Sequence, residues 1–158
     1  MAVTDPALRE QIADLLWDYA DAVDDDRLED WPKFFTESAV YQIIPRQAYD
    51  AGQPVGVMLC EGRGMMQDRV NALRTANIYE PHAYRHMLGR PRIMAADGGW
   101  DVRTAFCVLR IGQDGETVMF ATGRTVDRVV QDDGGLRFQA RRVVLDSHRI
   151  DILLVLPL

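Results

Sequence analysis

The chain has 158 residues, 47% of them hydrophobic, with a formal net charge of −6 and a pI near 5.0. That is enough for one core and too little for two ordinary domains, and so acidic a chain lacks the phosphate-neutralising surface that nucleic-acid binding needs. The start, Met1 to Pro6, has no basic stretch followed by an apolar run, and no uninterrupted apolar stretch approaches the roughly 20 residues of a membrane span, so a cytoplasmic protein is expected.

Asp5-Pro6 reads as a helix start, with proline at the first helical position; Leu8, Ile12, Leu15, Leu16, Tyr19, Ala20 and Val23 follow at helical spacing. The acidic run Asp24-Asp25-Asp26 closes this helix, and Trp31, Phe34 and Phe35 repeat the pattern in a short second one. Ser38 to Ile44 is β-prone, the stretch from Pro45 to Pro54 reads as an exposed loop, and Val55 to Cys60 as a short strand. A further helix carries Met66, Val70 and Leu73 on one face, with Asp68, Arg69 and Arg74 between them.

From His82 onward the pattern becomes strands: Tyr84 to Ala95, Trp100 to Ile111, Glu116 to Val130 and Leu136 to Ser147. Asp97-Gly98-Gly99, Asp114-Gly115 and Asp132-Asp133-Gly134-Gly135 supply the positive φ angles of tight hairpin turns. An antiparallel meander follows. Strands of this length twist and curl, and helices gathered at the N-terminal end would cover the concave face, so the expected class is an α+β cone in a single domain, 1–158.

Chemistry can be tested by spacing. A Rieske cluster needs paired short Cys/His motifs, and mononuclear iron two histidines and a carboxylate; neither pattern occurs. Cys60 and Cys107 sit in apolar contexts that read as buried free thiols, and His82 and His86, on the strand predicted here, lie about 13 Å apart. Gly62-Arg63-Gly64 lacks the spacing of a phosphate-cradling loop, and neither Ser38 nor Ser147 lies in a nucleophile elbow. A cone closed by helices could enclose a pocket in which Asp24, Tyr41 and His86 act as general acid and base; the plain alternatives are a solvated acidic turn, a core tyrosine and a hydrogen-bonded scaffold histidine. The segment from Tyr79 and Glu80 to Arg85 and His86 concentrates polar and aromatic groups where helix gives way to strand. It reads either as a partner contact or as an Arg–Glu pair and a histidine locking the junction. The apolar tail, with Ile150, Ile152, Leu153, Leu154, Val155, Leu156 and Leu158, must be buried, at a subunit interface or as an edge strand of its own domain.

These residues carry a resemblance. The order of elements resembles the NTF2-like (cystatin-type) cone, and a helix ending at Leu73-Arg74, then Glu80-Pro81, then Arg85-His86 opening a strand looks like the small (β) subunit of Rieske-type aromatic-ring-hydroxylating dioxygenases. Trp31 with Phe34-Phe35, Tyr41, Asp68-Arg69 and the ending Leu156-Pro157-Leu158 fall in family order across nearly the whole chain. Ala76-Asn77-Ile78-Tyr79-Glu80, Tyr84-Arg85-His86 and Gly115-Glu116-Thr117 are most similar to terephthalate dioxygenases and related aromatic-carboxylate oxygenases. His82-Ala83 stand where the family often has Ser-Arg. The resemblance implies a non-catalytic subunit of an α3β3 hexamer. Its α partner would hold the Rieske [2Fe-2S] cluster and the mononuclear iron, and a reductase would supply NAD(P)H electrons. It also implies that Tyr79, Glu80, Arg85, His86, Leu154, Leu156 and Leu158 serve structure and subunit contact. A stand-alone isomerase or dehydratase, or a small-molecule binding module, is the alternative.

Overall fold

The structure is a computed structural model that describes residues 1–53, 56–75, 81–147 and 156–158. Helix α1 (Pro6–Asp24) starts as expected: the Asp5 carboxylate accepts from the Ala7 N–H at 3.1 Å, and Pro6 occupies the first turn. Its buried face is Ile12, Leu15, Leu16, Tyr19, Ala20, Ala22 and Val23, the stripe that the 3.6-residue period predicts. A single 3-10 turn, Trp31–Phe34, follows, and Phe35, expected in that helix, instead opens β1 (Phe35–Pro45). The stretch from Pro45 is not all loop, because Arg46–Asp50 forms a short helix, α2, steadied by an Arg46–Asp50 contact of 3.9 Å one turn apart. Strand β2 is Met58–Glu61, shorter at its start than the expected 55–60, and Val55 lies outside the described residues. Helix α3 (Arg63–Thr75) buries Met66, Val70 and Leu73.

The strand region is β3 (His82–Leu88), β4 (Arg92–Ala96), β5 (Gly99–Gly112), β6 (Thr117–Asp132) and β7 (Gly135–Leu145). The single strand expected over 84–95 is two, both antiparallel to β5. Leu88 faces Phe106 and Arg92 faces Arg103, so the pairing slips by one residue across Gly89-Arg90-Pro91, where Pro91 has no N–H to give to a ladder. The glycine turns form as expected, with φ of 77° at Gly98, 88° at Gly115 and 120° at Gly135.

The sheet runs β2-β1-β7-β6-β5-β3, with β4 also on β5. From β3 to β7 every pairing is antiparallel, the expected meander, whereas β1 joins the sheet parallel to β7. The last hairpin strand leaves one open edge, and β1, entering from the helical end, covers it. Bulges between Val108 and Leu109 and between Arg128 and Val129 bend the long hairpin, so the sheet curves around the helices. On β5 the even residues Val102, Thr104, Phe106 and Val108 face inward and the odd ones outward. Helix α1 packs across the inner face on β3 and β7, and α3 covers β1 and β2. This is the α+β cone, one core built around Tyr19, Trp31, Phe35, Tyr41 and Phe138.

Candidate functional site

Among the described residues, three polar constellations lie inside the cone. The first joins the C-terminal end of α1 to the start of the sheet. Asp24, read as the head of an acidic turn, is not solvated: its side chain is 2% exposed and that of His86 5%. One Asp24 oxygen accepts from the His86 backbone N–H at 2.8 Å and the other lies 2.6 Å from His86 Nδ1. An ionised carboxylate only accepts, so this pairing places a ring proton on Nδ1. Strand β3 is the edge of the sheet, and its free backbone donor at His86 is satisfied by a helix side chain. The ring's Nε2 is buried with no hydrogen-bond partner among the described residues.

The second constellation anchors the C-terminal residues. The Tyr19 and Tyr41 hydroxyls both donate to the Leu158 carbonyl oxygen, at 2.9 and 2.8 Å, while Trp31 Nε1 donates to the Tyr19 oxygen at 2.9 Å and the Leu158 N–H donates to the Tyr41 oxygen at 2.9 Å. Burial raises the pKa of both tyrosines above the ordinary phenol value and keeps them neutral donors. Tyr41 is therefore engaged with the tail and not with Asp24 and His86, so the three pocket candidates do not converge; the structure brings together two of them. Leu156 and Leu158, expected at a subunit surface, are buried in the chain's own core, although neither lies in the edge strand that was the other expectation. Leu154, Tyr79 and Glu80 lie outside the described residues.

The third constellation carries no motif in the sequence. Arg141 on β7 and Asp127 on β6 are cross-strand partners whose side chains meet at 2.9 Å, with exposures of 4% and 0%. The guanidinium also lies 4.2 Å from the Tyr19 ring centre and 4.6 Å from that of Phe138, a double cation–π contact. Burial pushes the Asp127 carboxyl up to about 6, against the opposing pull of Arg141. The available signal was parity: both charges occupy positions that point inward on strands that pair, between apolar neighbours.

Arg85 is exposed on the outer side of β3, and no carboxylate lies within 4 Å of it among the described residues. Cys60 is buried, with its thiol pKa raised by burial, whereas Cys107 is only half-buried on the outer face; both are free thiols. A cavity of about 240 Å³ opens beside Asp24, His82, Tyr84 and Leu156. Asp24 lines this cavity, and its carboxylate also holds His86, so the pair latches helix to strand beside the cavity wall. Among the described residues no group of three or more His, Cys, Asp or Glu could hold a metal ion. No described helix is long and apolar enough to cross a membrane.

Residues 6–142 match the family described as the SnoaL-like domain, which agrees with the cone. The chain is 42% identical to the anthranilate 1,2-dioxygenase small subunit of Burkholderia cepacia over 89% of its own length and 88% of that relative. It is 43% identical to a β subunit of the terminal oxygenase component of terephthalate 1,2-dioxygenase from Comamonas sp., over 94% and 97%. A crystal structure from Novosphingobium aromaticivorans, assigned as the β subunit of an aromatic-ring-hydroxylating dioxygenase, superposes with a TM-score of 0.87 at 37% identity, covering 96% of this chain and 97% of that one. The chain belongs to the family of small, or β, subunits of aromatic-ring-hydroxylating dioxygenases.

Proposed function

We propose that this chain is the scaffold subunit of a multicomponent oxygenase that dihydroxylates an aromatic carboxylate. The α subunit of that oxygenase carries the Rieske cluster and the mononuclear iron, fed by NAD(P)H through a reductase, and the β chain forms a trimer within an α3β3 hexamer of the cytoplasm. The observation that carries this reading is full-length similarity at 42–43% identity to subunits named for anthranilate and terephthalate, both aromatic carboxylates. The interior supports it. Its polar groups hold the chain to itself, helix to edge strand and tail to core. In this reading Arg85 and the neighbouring Tyr79 and Glu80 meet the α subunit.

Co-expression with the neighbouring large-subunit gene tests it directly, by size-exclusion chromatography, iron analysis and oxygen uptake with terephthalate and anthranilate. An iron-bearing complex that consumes oxygen only when both chains are present is expected. A chain that never co-purifies with the large subunit, or that turns over a ketone alone, would overturn the reading.

A further inference from the structure

Two surfaces on opposite sides of the cone are each unfavourable in an isolated chain. On α1 and its C-cap the exposed carboxylates Glu10, Asp14, Asp18, Asp21 and, at the cap, Asp25 fall on one stripe at spacings of three and four residues, and Arg9 is the helix's one basic residue. Like charges at that spacing repel, and among the described residues none of the first four has an ion-pair partner within 4 Å. Within the same stripe Trp17 is 46% exposed.

On the outer face of the sheet, Arg92 lies directly across from Arg103, Arg103 across from Val126, and Val126 across from Arg142. Arginines directly opposite one another on neighbouring strands also repel, and none of the three has a carboxylate within 4 Å among the described residues. The row crosses three strand spacings, about 14 Å. Glu10 to Asp21 rises about 16 Å along the helix. The two rows thus match in length and oppose in charge, and each holds one apolar member among its charges, Trp17 on the helix and Val126 on the sheet. An indole set among guanidinium groups adds a cation–π contact.

We infer that the outer sheet face, centred on Arg92, Arg103 and Arg142, docks the Trp17-bearing acidic stripe of α1 from a second copy of this chain. Because α1 lies on the inner face, one copy cannot join its own two surfaces. The contact is heterologous, and a threefold rotation between copies closes such a contact into the ring of a trimer. The inference rests on the self-association proposed above and names the surfaces that carry it.

Sedimentation equilibrium of the purified chain at low and high salt tests it, with circular dichroism to confirm that each variant folds. The wild-type chain should self-associate, less tightly at high salt. Asp14→Lys with Asp18→Lys, or Arg92→Glu with Arg103→Glu, should each weaken association at least about tenfold. All four substitutions in one chain should restore it, because the charges are then exchanged and still complementary. Wild-type association in either reversed pair, or failure of the fourfold variant to recover, would overturn the proposal. So would a monomeric wild-type chain, or an arginine reversal that abolishes only large-subunit capture. Co-purification with the large subunit, scored separately, shows whether the subunit assignment stands when these surfaces fail.

Discussion

A buried ion pair such as Asp127–Arg141 costs so much desolvation that it adds little net stability, yet breaking it is expensive. Arg141→Met alone, which strands the carboxylate, should cost about 3–5 kcal/mol in urea unfolding, and Asp127→Leu with Arg141→Met together should recover most of that. The carboxyl also makes stability depend on pH. Its folded pKa, about 6, lies above the unfolded value of about 3.9, so the folded chain holds the proton more tightly. The resulting stabilisation is full below about pH 4 and is lost as pH rises through about 6, a change of about 3 kcal/mol. Relative to Asp127→Asn, the wild type should therefore lose stability between pH 4 and pH 7.5. A difference in Tm that stays constant across that range would show that Asp127 does not titrate there. Asp24 is a second buried carboxylate whose partner depends on it. Asp24→Ala removes two bonds to His86 and uncovers a strand-edge donor, which should cost about 2–4 kcal/mol and promote aggregation on heating.

Among the elements, the tail is a strap. Tyr19 and Tyr41 come from a helix and a strand that both lie far from Leu158 in sequence, and their hydroxyls share its carbonyl oxygen. Tyr41→Phe leaves the Leu158 N–H buried without its acceptor and should lower stability by about 1–3 kcal/mol in chemical denaturation, while Tyr41→Phe that unfolds at the wild-type midpoint would mean the strap carries no load. How far such elements can be read in advance depends on whether their cause is local. The buried stripe of α1 and the three glycine turns follow from residues a few positions apart, so spacing alone located them. The break at Pro91 had a local cause too, in Gly89-Arg90-Pro91, but β-prone residues stand on both sides of it and read as one strand. The parallel seam between β1 and β7 joins segments about a hundred residues apart, and nothing local records which free edge a strand will find. The same holds for the site: Asp24 and His86 stood out as ionisable residues, but only folding shows that one closes the sheet edge on the other, while Asp127 and Arg141 looked like ordinary strand charges.

For the whole molecule, the interior is committed to holding the cone shut, so contacts with other chains must come from outside. Arg85 is the exposed cation of the edge strand, with Met87 beside it and Asp24 fixing the strand from within. If that edge meets the α subunit, truncating Arg85 removes a rim charge and leaves the core untouched. Arg85→Ala should then reduce the yield of the co-expressed complex several-fold, since losing a charge-assisted contact costs roughly 1–2 kcal/mol. Tm of the isolated chain should stay within about 0.5 kcal/mol equivalent, because Arg85 has no internal ion pair among the described residues to lose. Iron per complex and oxygen uptake per iron should match wild type in whatever assembles, as neither depends on this residue. Equal yield would remove Arg85 from the contact surface, whereas altered uptake per iron would mean that the edge strand reaches the reaction centre and does more than hold it.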